Sequence, residues 1–255
     1  MGLDLDGRTC VVTGAAGGIG LACARAFTVQ GARVVASDRD ADRLARVAAE
    51  HDLAAVPADV GSEAGVVELI EAVETSVGPI DLFMSNAGVA VGMGLDASDA
   101  DWDLSWRVNT MAHVWAARHL VPRMRERGSG YLVSTASAAG LLMEPSSAPY
   151  TLTKHAAVAF AEWLAVNHGD VIGVSVLCPQ GVRTAMLDSV SGDSGNVTLA
   201  DGVLEPEQVA AAVVVAVREG RFLISPHDQV HRYEAGKVAD RDRWITGMRR
   251  VVFGR

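Results

Sequence analysis

Cations are scarce in this 255-residue chain, and lysine is almost absent. Only 22 Lys and Arg stand against 31 Asp and Glu, a formal net charge of −9, and just two of those cations are lysines, Lys154 and Lys237. Phosphate backbones are held by clustered cations, so this balance speaks against nucleic-acid binding. Cysteine is equally sparse: Cys10, Cys23 and Cys178 lie far apart, with no CxxC and no Cys/His cluster. Neither a disulfide framework nor a zinc site is expected, and no other metal; a reducing cytoplasmic setting is. The segment Met1–Asp6 is acidic and lacks the basic and apolar regions of a signal peptide. Long apolar runs are missing too: the longest, Val209–Val217, is too short to span a bilayer, so no membrane partner is expected.

What is present is alternation. Short β-branched runs near 8–13, 32–38, 53–58, 80–85, 130–136, 171–178 and 221–225 are separated by helical patterns, among them Gly18–Gln30, Glu63–Val77, Asp101–Arg127, Tyr150–His168 and Glu205–Glu219. Strand–helix alternation predicts an α/β fold, with about seven parallel strands in a doubly wound Rossmann-type sheet between two helical layers. Cys10–Val12 and Val174–Leu177 read as strands buried on both faces. No internal repeat or low-complexity linker interrupts residues 1–255, so one domain is expected. It carries a flexible, Ser/Gly/Asp-rich loop near 187–204 and a tail, 228–255, that reads as one docked amphipathic helix.

Thr13-Gly14-Ala15-Ala16-Gly17-Gly18-Ile19-Gly20 ends the first strand and opens a helix. Glycines there permit a tight turn and close approach of a pyrophosphate, and the helix N-terminus offers free N–H groups. Gly14, Ala16, Gly18, Ile19 and Gly20 are therefore cofactor-binding candidates, although an ordinary strand–helix connection would look much the same. The second strand ends at Asp38, at the spacing where a carboxylate meets the ribose hydroxyls and repels a 2′-phosphate. That favours NAD over NADP. Asp38 could instead cap the next helix, and the neighbouring Arg39 could pair with a 2′-phosphate.

Tyr150-Thr151-Leu152-Thr153-Lys154 sets a phenol and an ammonium at i and i+4 on one helical face, where the cation lowers the phenol pKa toward working pH. Ser137 lies thirteen residues earlier, just past the strand Tyr131-Leu132-Val133. The chain contains its own control, because Tyr233 and Lys237 repeat the YxxxK spacing. No strand-end serine precedes that second pair at a matching distance, so it reads as a solvated helical face.

Taken together, the ordered motifs resemble the short-chain dehydrogenase/reductase family over nearly the whole chain. They are TGxxxGxG at 13–20, Asp59-Val60, Ser85-Asn86-Ala87-Gly88, Asn109, Ser137 and YxxxK at 150–154. The resemblance implies Tyr150 as proton donor or acceptor, Ser137 on the substrate oxygen, and Lys154 on the nicotinamide ribose. It implies Asn109 anchoring a relay water, Asp59 and Val60 at the adenine, and Asn86, Ala87 and Gly88 along the cofactor cleft. Pro179, Gly181, Val182 and Thr184 would border the nicotinamide, with Thr184 touching its amide. Read singly, Asn109 could be a polar turn in a long helix, Asp59 a helix cap and Ser137 a packing residue. The family's usual Pro-Gly after the sixth strand is Pro179-Gln180-Gly181 here, which adds bulk beside the nicotinamide. The resemblance also implies a homodimer or homotetramer.

The expected activity is NAD-dependent interconversion of a secondary alcohol and a ketone. Leu141, Leu142, Met143, Met186, Leu187, Val91 and Met93 suggest a small-molecule substrate of hydrophobic kind, such as a steroid, terpenoid or fatty-acyl derivative, unless they serve the core or a subunit contact. A non-catalytic nucleotide-binding sensor or scaffold, and an NADP-dependent ketoreductase, are the alternatives.

Overall fold

A computed structural model of the chain describes residues 1–188 and 201–254. Seven strands form one sheet in the order β3-β2-β1-β4-β5-β6-β7, with every neighbouring pair parallel. They are β1 (Thr9–Thr13), β2 (Arg33–Ser37), β3 (Ala54–Ala55), β4 (Leu82–Ser85), β5 (Tyr131–Thr135), β6 (Gly173–Leu177) and β7 (Leu223–Ile224). Alternate residues of each central strand feed opposite cores, which is why these runs are hydrophobic without a polar face. Cys10, Val12, Leu82, Met84 and Val133 pack under helices α1 (Gly18–Val29) and α8 (Pro206–Glu219). Val11, Phe83, Leu132, Val174 and Val176 pack under α3 (Glu63–Ser76), α5 (Ala112–Arg127) and α6 (Ala148–His168). The result is the three-layer, doubly wound arrangement expected from the alternation.

Several local features differ from the sequence expectation. The 53–58 run pairs only through Ala54–Ala55, because it is an edge strand whose exposed residues gain little from the ladder. The Asp101–Arg127 pattern is not one helix. A capping box between Ser98 and Asp101 starts α4 at Asp99, and a π turn over Arg107–Met111 separates α4 (Asp99–Trp106) from α5. Such a turn adds a residue to the helical circuit and re-aims the side chains within it; here it buries Asn109 completely.

The tail also differs. It forms two helices, α9 (Asp228–Ala239) and α10 (Arg241–Phe253), broken at Asp240, whose side chain accepts from Arg243 N as the cap of the second. Only α9 buries side chains of its own, Val230 and Lys237. The remaining elements are α2 (Ala41–His51), capped by Asp40, and a short turn of helix, α7 (Ala185–Asp188). Most of the loop expected near 187–204 lies outside the described residues. No helix among those described is long and apolar enough to cross a membrane.

The strand order reverses on either side of β1, so the connections leaving β1 and β4 run to opposite faces and leave a crevice at the carboxyl ends between them. Every chemistry-bearing motif of the sequence opens onto that edge.

Candidate active site

The floor of the crevice is braced by Thr13 and Asn86. The amide N–H groups of Asn86 and Ala87 both donate to Thr13 Oγ1 (2.9 and 3.1 Å), and Asn86 Nδ2 donates to Thr13 O at 2.9 Å. Thr135 Oγ1 then donates to Asn86 Oδ1 at 3.2 Å, tying β1, β4 and β5 together. Gly20 stands under this brace. A β-carbon there would lie 2.2 Å from the Gly14 carbonyl oxygen and 2.7 Å from Asn86 Nδ2, so helix α1 approaches its strand only with glycine at that position.

Above the brace lies a cavity of about 510 Å³. Gly14, Ala16, Gly18, Ile19, Asp38, Arg39, Asn86, Ala87 and Gly88 line it together with Ser137, Tyr150, Lys154, Pro179, Val182 and Thr184, and the two sets meet where Gly18 approaches Thr184 and Gly88 approaches Lys154. Asp59 and Val60 line a smaller recess that shares Gly14, Asp38, Arg39 and Gly88 with it. Gly20, Asn109 and Gly181 are set back behind these walls. Gly20 serves the helix approach, Asn109 the bracing described below, and Gly181 accepts Leu204 N through its carbonyl at 3.0 Å.

The residues fit a dinucleotide. Helix α1 follows its N-cap Gly17 with no side-chain cap and no acidic residue in its first turn, so no side chain among the described residues caps its leading N–H groups. Gly14 has φ +65°, and a β-carbon on it would strike Ala87 Cα at 2.8 Å, so the turn can pack this closely against the loop after β4 only with glycine there. Asp38 is not the cap of α2; Asp40 is. The Asp38 carboxylate is instead clamped by two amides, Ala16 N on Oδ2 and Asp40 N on Oδ1, each at 3.1 Å, and faces the cavity. Nor does Asp59 cap α3: its Oδ1 accepts Gly61 N, and Ser62 is the cap.

On the substrate side of the cavity, the Ser137 hydroxyl acts on the Tyr150 phenol and favours its ionised form, while Ser137 Oγ itself donates to Pro179 O at 3.4 Å. Ser137 Oγ accepts Ala139 N at 3.1 Å as the cap of a 3₁₀ turn, Ala138–Gly140. Lys154 Nζ lies 5.6 Å from the centre of the Tyr150 ring and donates to Thr135 O at 3.0 Å. Burial lowers the Lys154 pKa to about 8. The tyrosine differs from expectation. Burial raises its pKa, with only the Ser137 contact acting downward, and Lys154 is not among the groups that lower it.

Asn109 is a brace. Oδ1 accepts Val89 N at 2.8 Å, and Nδ2 donates to Val89 O at 2.9 Å and to Thr153 Oγ1 at 3.2 Å. It locks the loop after β4 against the helix that carries Tyr150 and Lys154, and Thr153 and Thr135 join the site through these bonds. Sequence reading passed over both threonines, because their signal is only a hydroxyl next to a named residue. It also passed over Arg43, whose guanidinium lies 2.6 Å from where a Gly17 β-carbon would stand. A helix capped at Asp40 places that arginine in its first turn, facing the glycine loop.

The apolar wall is only partly as expected. Met93, Leu142, Met143, Met186 and Leu187 line the cavity together with Glu144, Ser146 and Gln180. Val91 does not line it, and Leu141 turns away to pack against the hydrophobic core. The second YxxxK is also unlike its reading as a solvated face: Lys237 is only 7% exposed.

The family described as short chain dehydrogenase matches residues 8–195. The chain is similar to a 1-deoxy-11-beta-hydroxypentalenate dehydrogenase of Streptomyces exfoliatus, 37% identical over 87% of this chain and 84% of that one. It is similar in structure to a short chain dehydrogenase/reductase from Burkholderia phymatum in complex with NAD, with a TM-score of 0.85 and 30% identity over 94% of this chain and 96% of that chain. It is also similar to the L-sorbose reductase of Gluconobacter frateurii complexed with NADPH and L-sorbose, with a TM-score of 0.74 and 29% identity over 88% and 95% of the two chains.

Proposed function

This chain belongs to the short-chain dehydrogenase family, an NAD(P)-dependent oxidoreductase acting on CH–OH groups, and from that premise we propose that it interconverts a bulky apolar secondary alcohol and its ketone, using NAD. The observation that carries this reading is the hydroxyl pair of Ser137 and Tyr150, set beside Lys154 in the same cavity as the glycine turn and Asp38.

When bound, the nicotinamide supplies or accepts the hydride. The chain does the rest. Ser137 Oγ holds the substrate oxygen against the Tyr150 hydroxyl. In reduction Tyr150 gives that oxygen its proton; in oxidation its phenolate takes the proton away. The Lys154 ammonium, beside the Tyr150 ring, favours the phenolate electrostatically. Leu142 and Met143, with the half-exposed Met93 at the rim, seat an apolar ring system. The relative named for a hydroxypentalenate supports a hydroxylated substrate of that bulk. The clamped Asp38 carboxylate supports NAD, because a 2′-phosphate would meet a fixed negative charge.

Arg39 and Arg43 favour a second reading, in which the same cleft takes NADP and works as a ketoreductase, as in the relative complexed with NADPH. Melting-temperature shifts with NAD(H) and with NADP(H) separate the two. We expect a clear rise with NAD(H), little with NADP(H), and a reversed preference in Asp38→Ser, where Arg39 and Arg43 remain. Preference for NADP(H) in the unaltered protein sinks the Asp38 reading, and no rise with either cofactor sinks the oxidoreductase reading.

The raised Tyr150 pKa predicts a direction-dependent pH profile. The phenol stays protonated near neutrality, so reduction finds its acid already in place while oxidation waits for the rare phenolate. Alcohol oxidation should climb by up to about tenfold per pH unit between pH 7 and 9, whereas ketone reduction stays level over the same range. Initial rates in both directions measure this, and an oxidation rate that ignores pH contradicts it.

A further inference from the structure

Both lysines of the chain are buried, and neither forms an ion pair among the described residues. Lys154 belongs to the site. Lys237 sits on α9 and reaches the segment just after Ser137. Its Nζ donates to Leu141 O at 2.6 Å, to Leu142 O at 2.8 Å and to His155 Nε2 at 3.3 Å. His155 Nδ1 lies 2.9 Å from Thr151 O and must carry its proton there, which leaves Nε2 as an acceptor. The three N–H bonds of the ammonium thus all meet neutral acceptors, and the Trp244 ring covers it, with Nζ 5.1 Å from the centroid.

Two more contacts come from the same helix. His227, at its N-terminus, accepts Gln180 N on Nδ1 at 3.2 Å, and Gln180 lines the cavity; Tyr233 Oη donates to Asp201 Oδ1 at 3.0 Å. One helix therefore ties down three separate segments, two of which line the cavity. Leu142 and Met143 face the cavity immediately beyond the two carbonyls that Lys237 holds.

We propose that Lys237 is a positioning residue for substrate selection, fixing the Leu141–Leu142 backbone so that Leu142 and Met143 present one rigid apolar wall to the substrate. The inference rests on the reading of that wall as the substrate side.

The test compares Lys237→Met with Lys237→Arg. In K237M, amide hydrogen exchange over residues 139–146 should quicken about tenfold while exchange in α6 is unchanged, and K237R should restore most of the protection. With NAD, kcat/KM for 2-decalol should fall about tenfold relative to that for cyclohexanol, through KM rather than kcat. The NAD-induced melting shift should stay as in the parent protein. If K237M does not fold, K237Q, which keeps two amide donors but no charge, is read by the same exchange and the same ratio. Unchanged exchange over 139–146 overturns the proposal whatever the activity, and faster exchange with an unchanged decalol-to-cyclohexanol ratio overturns its role in selection. A parent protein that gives no melting shift with NAD(H) or NADP(H) brings down the functional reading instead, and exchange still reports separately on Lys237.

Discussion

Tyr150→Phe should lower kcat about 10³-fold while leaving cofactor binding intact. The substitution removes one oxygen, the phenol on which Ser137 acts, and keeps the ring beneath Lys154. The dinucleotide part of the cavity depends on Gly14, Asp38 and the Thr13–Asn86 brace, none of which touches the phenol oxygen. Lys154→Met should act differently. Its ammonium also donates to Thr135 O, next to the hydroxyl that braces Asn86, so both turnover and the cofactor-induced melting shift should suffer. Steady-state rates beside melting curves with and without NAD distinguish the two variants. A Y150F protein retaining a tenth of parental kcat would show that the proton passes elsewhere.

Acid should destabilise the protein steeply, and His113 should be a principal cause. This histidine lies in the first turn of α5, is 3% exposed, and neither ring nitrogen has a hydrogen-bond partner among the described residues. Burial, reinforced by the charge of Lys154, lowers its pKa to about 3. The unfolded chain takes up the proton near pH 6.5, but the native state refuses it down to about 3. Between those limits the unfolded state holds the extra proton, so stability is lost as pH falls, at about 1.4 kcal/mol per unit. Urea unfolding at pH 6.5 and pH 5 should therefore differ by about 2 kcal/mol more in the parent protein than in His113→Leu. Equal pH slopes for the two proteins would remove His113 from the account.

Much of this arrangement is local enough to read directly. A glycine turn between a β-branched run and a helix, an acid at the end of the next strand, and a phenol and ammonium at i and i+4 are all short-range patterns. The parallel sheet then delivers each of them to one edge. Two-sided burial of Cys10–Val12 is legible for the same reason, since adjacent residues of a central strand must satisfy opposite helical layers. What escaped reading depends on distant partners. Nothing in Tyr233–Lys237 announces that its ammonium will meet carbonyls 96 and 95 residues away. Leu141 and Leu142 are equivalent as letters, and only the 3₁₀ turn at Ala138–Gly140 decides which faces the cavity. The π turn at Arg107–Met111 leaves no trace in apolar periodicity, because Asn109 is buried for its hydrogen bonds rather than for hydrophobicity.

The placement of β1 bears on how the chain is made. Cys10 pairs on one side with Val34, within the first 40 residues, and on the other with Leu82, so the second edge of this apolar strand has no partner until β4 is available. At ribosomal speeds of about 5–20 residues per second, that edge stays open for several seconds of synthesis. An open parallel edge built of Cys, Val and Val is a template for pairing with another chain. Pauses in translation before residue 85 should therefore increase aggregation more than pauses after β5 has been completed, an outcome that codon-slowed variants would reveal as insoluble protein.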